Sequence, residues 1–421
     1  MNLSHAFFSV ARYRLAGALL AAGMVLPVQA QVSTITALFK PDSSQPHFNT
    51  FTNTTPPSGY CQIYPAQCEI NQFFSLRVPI QFNSRIPIPA NHPSQRQGAM
   101  LKAPAQWREL TVYHETTRQP EKVRVRIAGI GSRAVTDDVM ALVGGADDYR
   151  LAHNYLWGSS WVNSPPPCVF TGNGFYGTTF YDFFWKTPTL GACAKQAKFN
   201  VPWLRFDYLD FAYELQTPNP LGMSSGHYTG SLTYTVGPNG DFDFGDVMLP
   251  TDSAVTLDFN LEVQHTLKVD IPPGGESIKL VPVGGWQGWL QAGRKPVRLM
   301  RDQTFNISAS SRFKMFMECE FDSINKRDCG LNDRHARRQV RLQVAVSLPN
   351  GLTDMAGQPV RQMRLRSGAA NALYFQPGFY VDRAPGVLHF EVPPDQMAFM
   401  LEPGVGPVYR GQVTVIWDSE V

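Results

Sequence analysis

Hydrophobic and polar positions alternate with period two in several parts of the chain. Tyr409, Gly411, Val413, Val415, Trp417, Ser419 and Val421 alternate with mostly polar neighbours, among them Gln412, Thr414, Asp418 and Glu420. That is the pattern of a half-buried strand. Val123, Val125 and Ile127 alternate with Lys122, Arg124 and Arg126, and Val340, Leu342, Val344 and Val346 with Arg341 and Gln343. Leu257, Phe259, Leu261 and Val263 open a run that resumes at Leu267-Lys268-Val269. One pattern occurs twice: Tyr228-Thr229-Gly230-Ser231-Leu232-Thr233-Tyr234 and Tyr409-Arg410-Gly411-Gln412-Val413-Thr414-Val415 both read Tyr-x-Gly-x-apolar-Thr-apolar. After the first copy comes a turn, Gly237-Pro238-Asn239-Gly240, and then Asp241–Gly245, which is expected to return as the next strand. The sequence ends within the second copy's strand, so that unit is expected to be one strand short.

Long apolar stripes of helical period are scarce. With 34 glycines, 33 prolines and 12% aromatic residues, the chain is expected to be all-β, with short strands and many turns. Arg12 and Arg14 precede an apolar run, Leu15–Leu26, with small residues near Ala30, so 1–30 read as a secretory signal peptide. The remaining length, roughly 390 residues, suggests two domains, 31–250 and 251–421, divided at Pro250-Thr251-Asp252-Ser253. A formal net charge of +3 argues against a charge-driven nucleic-acid binder.

The six cysteines fall as neighbours: Cys61 with Cys68, Cys168 with Cys193, Cys319 with Cys329. In an exported chain this spacing reads as disulfides, and of the possible connectivities the sequential pairing is the simplest. Paired C-x-x-C spacing is lacking, so no metal site and no cofactor are expected.

Few stretches suggest chemistry. Gly222-Met223-Ser224-Ser225-Gly226 matches the G-x-S-x-G elbow of serine hydrolases, with His265 and His389 downstream. An elbow needs a strand before it and a helix after it, and here a β run follows at Tyr228, so a polar turn is expected. Gly129-Ile130-Gly131-Ser132-Arg133-Ala134 matches a dinucleotide fingerprint but lacks a parallel-sheet context, so a glycine turn is expected, with helical turns over Val135–Leu142 as a further option. Arg334-His335-Ala336-Arg337-Arg338 reads as a solvated basic loop. The aromatics Phe175, Tyr176, Phe180, Tyr181, Phe183, Phe184 and Trp185, inside the Cys168–Cys193 loop, fit a packed core, with sugar stacking as the other reading.

An ordered series along the chain resembles the tip adhesins, or pilus-biogenesis initiators (CblD-like), of alternate chaperone–usher fimbriae of the colonisation-factor and cable-pilus type. It comprises Cys61 and Cys68, Cys168 and Cys193, Phe199-Asn200-Val201-Pro202, His227-Tyr228-Thr229-Gly230 and Asn239-Gly240-Asp241-Phe242. It continues through Val247-Met248-Leu249-Pro250 and Val255–Leu261 to the final Tyr409-x-Gly411-x-Val413.

The resemblance implies two immunoglobulin-like β-sandwich domains in tandem, an adhesin domain and a pilin domain lacking its final strand. It implies a non-enzymatic fimbrial tip adhesin, exported through the periplasm to the cell surface. The implied partners are a periplasmic chaperone, an outer-membrane usher, the N-terminal extension of a major pilin and a host glycan or protein receptor. A donated strand would then lie beside Gly411, Val413, Val415, Trp417 and Val421. A basic receptor face would use Arg118, Lys122 and Arg124. Enterotoxigenic members carry adjacent arginines before the closing strands, whereas this chain has the uncharged Gln216-Thr217-Pro218-Asn219-Pro220. Two alternatives stand beside this reading: a minor pilin within the fibre, donating a strand from Val32–Phe39, and a secreted β-sandwich hydrolase using Ser224.

Overall fold

The structure, a computed structural model, describes residues 31–333, 338–402 and 408–419. The expected signal peptide at 1–30, most of the basic run at 334–338, and Val421 lie outside the described residues. The architecture is all-β, as expected, with two strand-built units in tandem and a separate hydrophobic core in each.

The 16-residue strand Pro120–Val135 is the spine of the first unit. It pairs with Arg108–His114 through its first half. Its middle, Arg124 to Gly131, pairs with Leu209–Gln216, and its second half pairs with Phe180–Lys186. The alternation read from the sequence holds at its start, where Val123, Val125 and Ile127 are buried and Lys122 and Arg124 exposed. From Ile127 to Ser132 every residue is buried, because a second layer covers the outer face there. That layer is a small cluster containing Tyr60, Phe73 and Phe184. Gly129 and Gly131 therefore lie inside a strand and form no turn, contrary to expectation. A Cβ on Gly129 would stand 2.5 Å from the Phe184 ring, and one on Gly131 would stand 2.4 Å from the Phe183 carbonyl oxygen. Glycine is needed because other chain segments lie directly on that backbone.

The closing strands also differ from expectation. Asp241–Gly245 does not form the next strand beside Gly226–Thr235 and meets only its end, where Phe242 bridges Val236. Gly237 and Asn239 take positive φ, Asp241 accepts a bond from the Thr235 N–H, and Phe242 and Phe244 turn into the core. The strand that runs beside Gly226–Thr235 is Ala254–Val263, antiparallel over its whole length. Its far edge is taken by Gln31–Phe39, in parallel. Val255, Leu257, Phe259, Leu261 and Val263 all belong to the first core, so that core runs past the division expected at Pro250.

One long helix-forming segment escaped the sequence reading. Tyr149–Trp157 is capped by Asp148, whose carboxylate accepts from the N–H groups of Arg150 and Leu151. It contributes Ala152, Leu156 and Trp157 to the first core. Of Val135–Leu142, only Val139–Leu142 is helical. Among the described residues no helix is long and apolar enough to cross a membrane.

The second unit is a sandwich. One sheet carries Leu299–Ala309, Val381–Val392 and Arg338–Ser347 at its centre. The other runs Leu352–Asp354, Leu373–Pro377, Phe313–Cys319, Val413–Ser419. All three expected disulfides are present, Cys61–Cys68, Cys168–Cys193 and Cys319–Cys329.

Candidate functional site: an open sheet edge and a polar–aromatic cavity

The second Tyr-x-Gly stretch changes sheets. Tyr409–Arg410 pairs with Cys329–Asp333 at the edge of one sheet. The chain then passes to the other sheet, where Val413–Ser419 pairs with Phe313–Cys319. Gly411 sits at the crossing, where a Cβ would stand 2.8 Å from the Gly330 carbonyl oxygen. Val413, Val415 and Trp417 face the second core and are half-buried. Trp417 meets Phe305 of the facing sheet edge-on at 5.6 Å, and its buried ring N–H has no partner among the described residues. On the side away from Phe313–Cys319, no described strand pairs with Val413–Ser419. The first Tyr-x-Gly strand is flanked on both sides, by Arg108–His114 and Ala254–Val263, and its Tyr228 and Tyr234 are fully buried. An edge with open N–H and C=O groups and a half-covered apolar row is a template for another strand.

The structure does not gather Arg118, Lys122 and Arg124 into an unpaired cluster. All three are exposed. Arg118 lies in the turn before the spine strand, at positive φ. Lys122 donates to the Thr111 hydroxyl and pairs with Glu109 at 3.1 Å. Arg124 donates to Gln216 and lies over the Trp107 ring. Arg126 forms a two-point bond with Glu214 and shares that ring.

The aromatics of the Cys168–Cys193 loop divide between two settings. Tyr181, Phe183 and Trp185 on the Phe180–Lys186 strand enter the first core around Trp161. Phe175 on the preceding strand is 63% exposed and stands on the rim of a cavity of about 260 Å³.

Strand register builds this cavity. Asp210 lies opposite Arg77 on one side and Gly131 on the other, and Gly131 lies opposite Phe184. Two residues along, on the same face, Arg133 lies opposite Asp182, near Tyr208. The Cys61–Cys68 disulfide holds the short helices that bring Tyr60, Ile63 and Tyr64 over this face, and Tyr60 stacks on Phe184 at 4.1 Å. Arg77 donates to Asp210 Oδ2 at 2.8 Å and lies over the Tyr208 ring. Arg133 binds both oxygens of Asp182, and the Tyr208 hydroxyl donates to the same carboxylate. Asp210 is buried, and its Oδ1 has no hydrogen-bond partner among the described residues. Burial pushes its pKa up to about 6, outweighing the opposing pull of Arg77. Burial also raises the Tyr208 phenol. Sequence reasoning missed Arg77, Asp210 and Tyr208. The only local signal near them was the disulfide beside Tyr60.

The hydrolase-like motif forms a hub of backbone contacts. The Ser224 hydroxyl is bonded to Gln119. Neither nearby histidine reaches that hydroxyl: His265 bonds the Met223 carbonyl and His114 the Ser225 carbonyl. In the second unit Asp302, His389 and Ser347 form a row across three strands, with bonds of 2.8 and 2.9 Å. Ser347 Oγ there already accepts from the Gln362 N–H. Among the described residues no group of three His, Cys, Asp or Glu is placed to hold a metal.

No family model and no curated protein matches the chain. Among solved structures it is similar to CfaE, the adhesive subunit of the CFA/I fimbria of enterotoxigenic Escherichia coli. The identity is 9% and the TM-score 0.26, over 93% of this chain and 94% of that one. A chaperone–tip adhesin complex of CFA/I fimbriae biogenesis gives 8% and 0.26, over 93% and 97%. The chaperone–tip adhesion subunit complex of the archaic Csu pili of Acinetobacter baumannii gives 7% and 0.20, over 92% and 98%. Values this low leave the reading of the chain to its own strands and side chains.

Proposed function

We propose that the protein is a non-enzymatic fimbrial tip adhesin. Its first unit binds a host-surface receptor, and its second accepts a strand from a periplasmic chaperone and then from the N-terminal extension of the next pilin, delivered through an outer-membrane usher. We take the units to divide at 264–266, after the last strand of the first core. The observation that carries the reading is the open edge of Val413–Ser419, with Val413, Val415 and Trp417 half-buried. Full burial of each aliphatic chain is worth roughly 1.5–3 kcal/mol, and an added strand would also pair the free backbone groups. Strand addition to pilins is itself the general example of this recognition mode. The minor-pilin alternative is disfavoured because Gln31–Phe39, the stretch that would be donated, is a strand of the first sheet, with Ile35, Ala37 and Phe39 buried.

The test compares the mature chain alone with the same chain extended by a linker and a pilin N-terminal segment. In the extended protein the unfolding transition of the second unit is expected to move up by several degrees or more, while that of the first stays put. Equal transitions in the two proteins would refute strand acceptance.

A further inference from the structure

We propose that residues 283–298 form a finger by which the second unit docks on an anionic phospholipid surface. This goes beyond the adhesin reading and does not need it. The base of the finger is closed where Val281–Pro282 pairs with Met300 and Leu299. From 283 to 298 no residue is buried. A Cβ on Gly284, Gly285, Gly288 or Gly293 would meet nothing within 4 Å, so the backbone stands clear of the unit that carries it. At its end lies the short helix Gln287–Ala292. Trp286, Trp289 and Leu290 are spaced three and four apart and so share one side of that helix. The two indole rings lie 5.8 Å apart, and Leu290 is 76% exposed. Val283 and Val297 are exposed on the two arms. Apolar side chains gathered on a projection in water mark a surface that something covers.

The charges say what covers it. From Ser277 to Arg301 the chain carries Lys279, Arg294, Lys295, Arg298 and Arg301 and no carboxylate. All five cations are exposed. Arg298 alone of the five has an ion pair among the described residues, a long one to Glu391 at 3.6 Å. The apolar side chains thus sit at the end of the finger and the cations along its arm and base. An anionic bilayer has the matching order in depth, with charged headgroups outermost and acyl chains beneath. Trp and Leu enter the boundary between headgroups and chains, while Arg and Lys stay with the headgroups. Each cation held near such a surface raises affinity about fivefold. The helix is far too short to span a bilayer, so the finger lies in the interface. A second copy of the chain is the weaker occupant. Two fingers meeting end to end would bring like charges together, with no carboxylate on either to offset them.

The experiment is co-sedimentation of the full mature chain with vesicles, read together with its tryptophan fluorescence. The vesicles are phosphatidylglycerol and phosphatidylcholine in equal parts, with phosphatidylcholine alone as the neutral arm. The chain is expected to bind the mixed vesicles with a blue-shifted emission, and to bind the neutral ones about tenfold more weakly or worse. Trp286→Ala with Leu290→Ala should weaken binding about tenfold or more. Arg294→Gln with Lys295→Gln should do the same at low salt, by about tenfold or more. Arg312→Gln with Arg361→Gln removes equal charge from exposed positions elsewhere on the second unit and should change binding by about twofold or less. A thermal melt of each variant separates lost binding from lost folding. The proposal is overturned if the mixed vesicles do not bind or if the neutral vesicles bind as well. It is also overturned if folded Trp286→Ala, Leu290→Ala binds like the parent, which would move the contact to another apolar surface such as the open edge of Val413–Ser419. A chain that ignores vesicles but forms dimers lost in that variant would overturn it in favour of a second copy. Adhesion and strand acceptance enter none of these measurements, so failure here leaves the adhesin reading to its own test.

Discussion

Two glycines explain why the Tyr-x-Gly pattern occurs twice. Gly230 and Gly411 each lie where a Cβ would press on a neighbouring strand, 2.6 Å from the Thr111 oxygen in one case and 2.8 Å from the Gly330 oxygen in the other. Neither has positive φ, so the requirement is close approach and not backbone freedom. Gly230→Ala is therefore expected to destabilise the first unit by about 1–3 kcal/mol, the usual range for forced overpacking. Ser231→Ala, exposed on the same strand, should stay within about 0.5 kcal/mol. Denaturant midpoints give both values, and an unmoved midpoint for Gly230→Ala would contradict the close approach. Asp210 gives a second prediction at this scale. Its folded pKa, about 6, lies above the ordinary 3.8, so the folded state holds the proton more tightly than the unfolded one. Its contribution is fully favourable below about pH 4 and is lost as pH rises through 6. Asp210→Asn should thus be more stable than the parent at pH 8, by about 3 kcal/mol, with little advantage at pH 4. Melts at the two pH values decide it. The Tyr-x-Gly echo was legible because each glycine falls in a period-two run of the sequence, although only Gly230 lies within a strand and Gly411 sits between two. The importance of Asp210 was not, because its burial depends on Gly59, Arg77 and Phe184, far apart in sequence.

Alternation along a strand reveals which residues share a face, and it does so wherever one face is wet. The faces of Lys122–Ile127, Leu257–Val263 and Val413–Trp417 were all legible for that reason. Partners were not. Nothing local in Ala254–Val263 says that it pairs with Gly226–Thr235 and Gln31–Phe39 and so belongs to the first core. Where both faces are covered the alternation itself disappears, as in Ile127–Ser132, and the glycines there looked like a turn. The polar face of the spine strand carries a prediction. Lys122 and Arg124 already hold Glu109 and Gln216, so their pull on a receptor is long-range attraction more than tight pairing. Replacing Arg118, Lys122 and Arg124 together by alanine should reduce adhesion several-fold at low salt. The deficit should vanish near 1 M salt, where screening shortens the reach of charge to about 3 Å. Adhesion counts across a salt series test this, and a triple variant that matches the parent at low salt would remove the basic face from receptor binding.

The two units meet around one side chain. His265 follows the last strand of the first sheet, and its ring lies against Phe39 at 5.6 Å. Nε2 bonds the Met223 carbonyl of the first unit at 2.9 Å, and Nδ1 bonds the Ser310 hydroxyl of the second at 3.1 Å. Ser310 Oγ also accepts from the Thr266 N–H, so the linker is tied to both units at once. A carbonyl accepts only, so Nε2 carries the proton and neutral Nδ1 receives the Ser310 hydroxyl hydrogen. Two contacts flank this joint, Tyr380 N–H to the Pro46 carbonyl and the His47 ring against Phe379. Burial lowers the His265 pKa below its ordinary 6.5. The unfolded or undocked state therefore takes up the proton first on acidification. Docking is fully stabilised above pH 6.5, weakens as pH falls below it, and stops weakening once the folded pKa is passed. Hydrogen exchange at 264–266 and 308–311 is thus expected to speed up between pH 7 and pH 5, after correction for intrinsic rates, while the Val255–Val263 core strand stays protected. His265→Gln, whose amide can donate to Met223 without titrating, should flatten that dependence. If the variant shows the same acid-induced opening as the parent, the joint is governed by other groups and His265 only packs there.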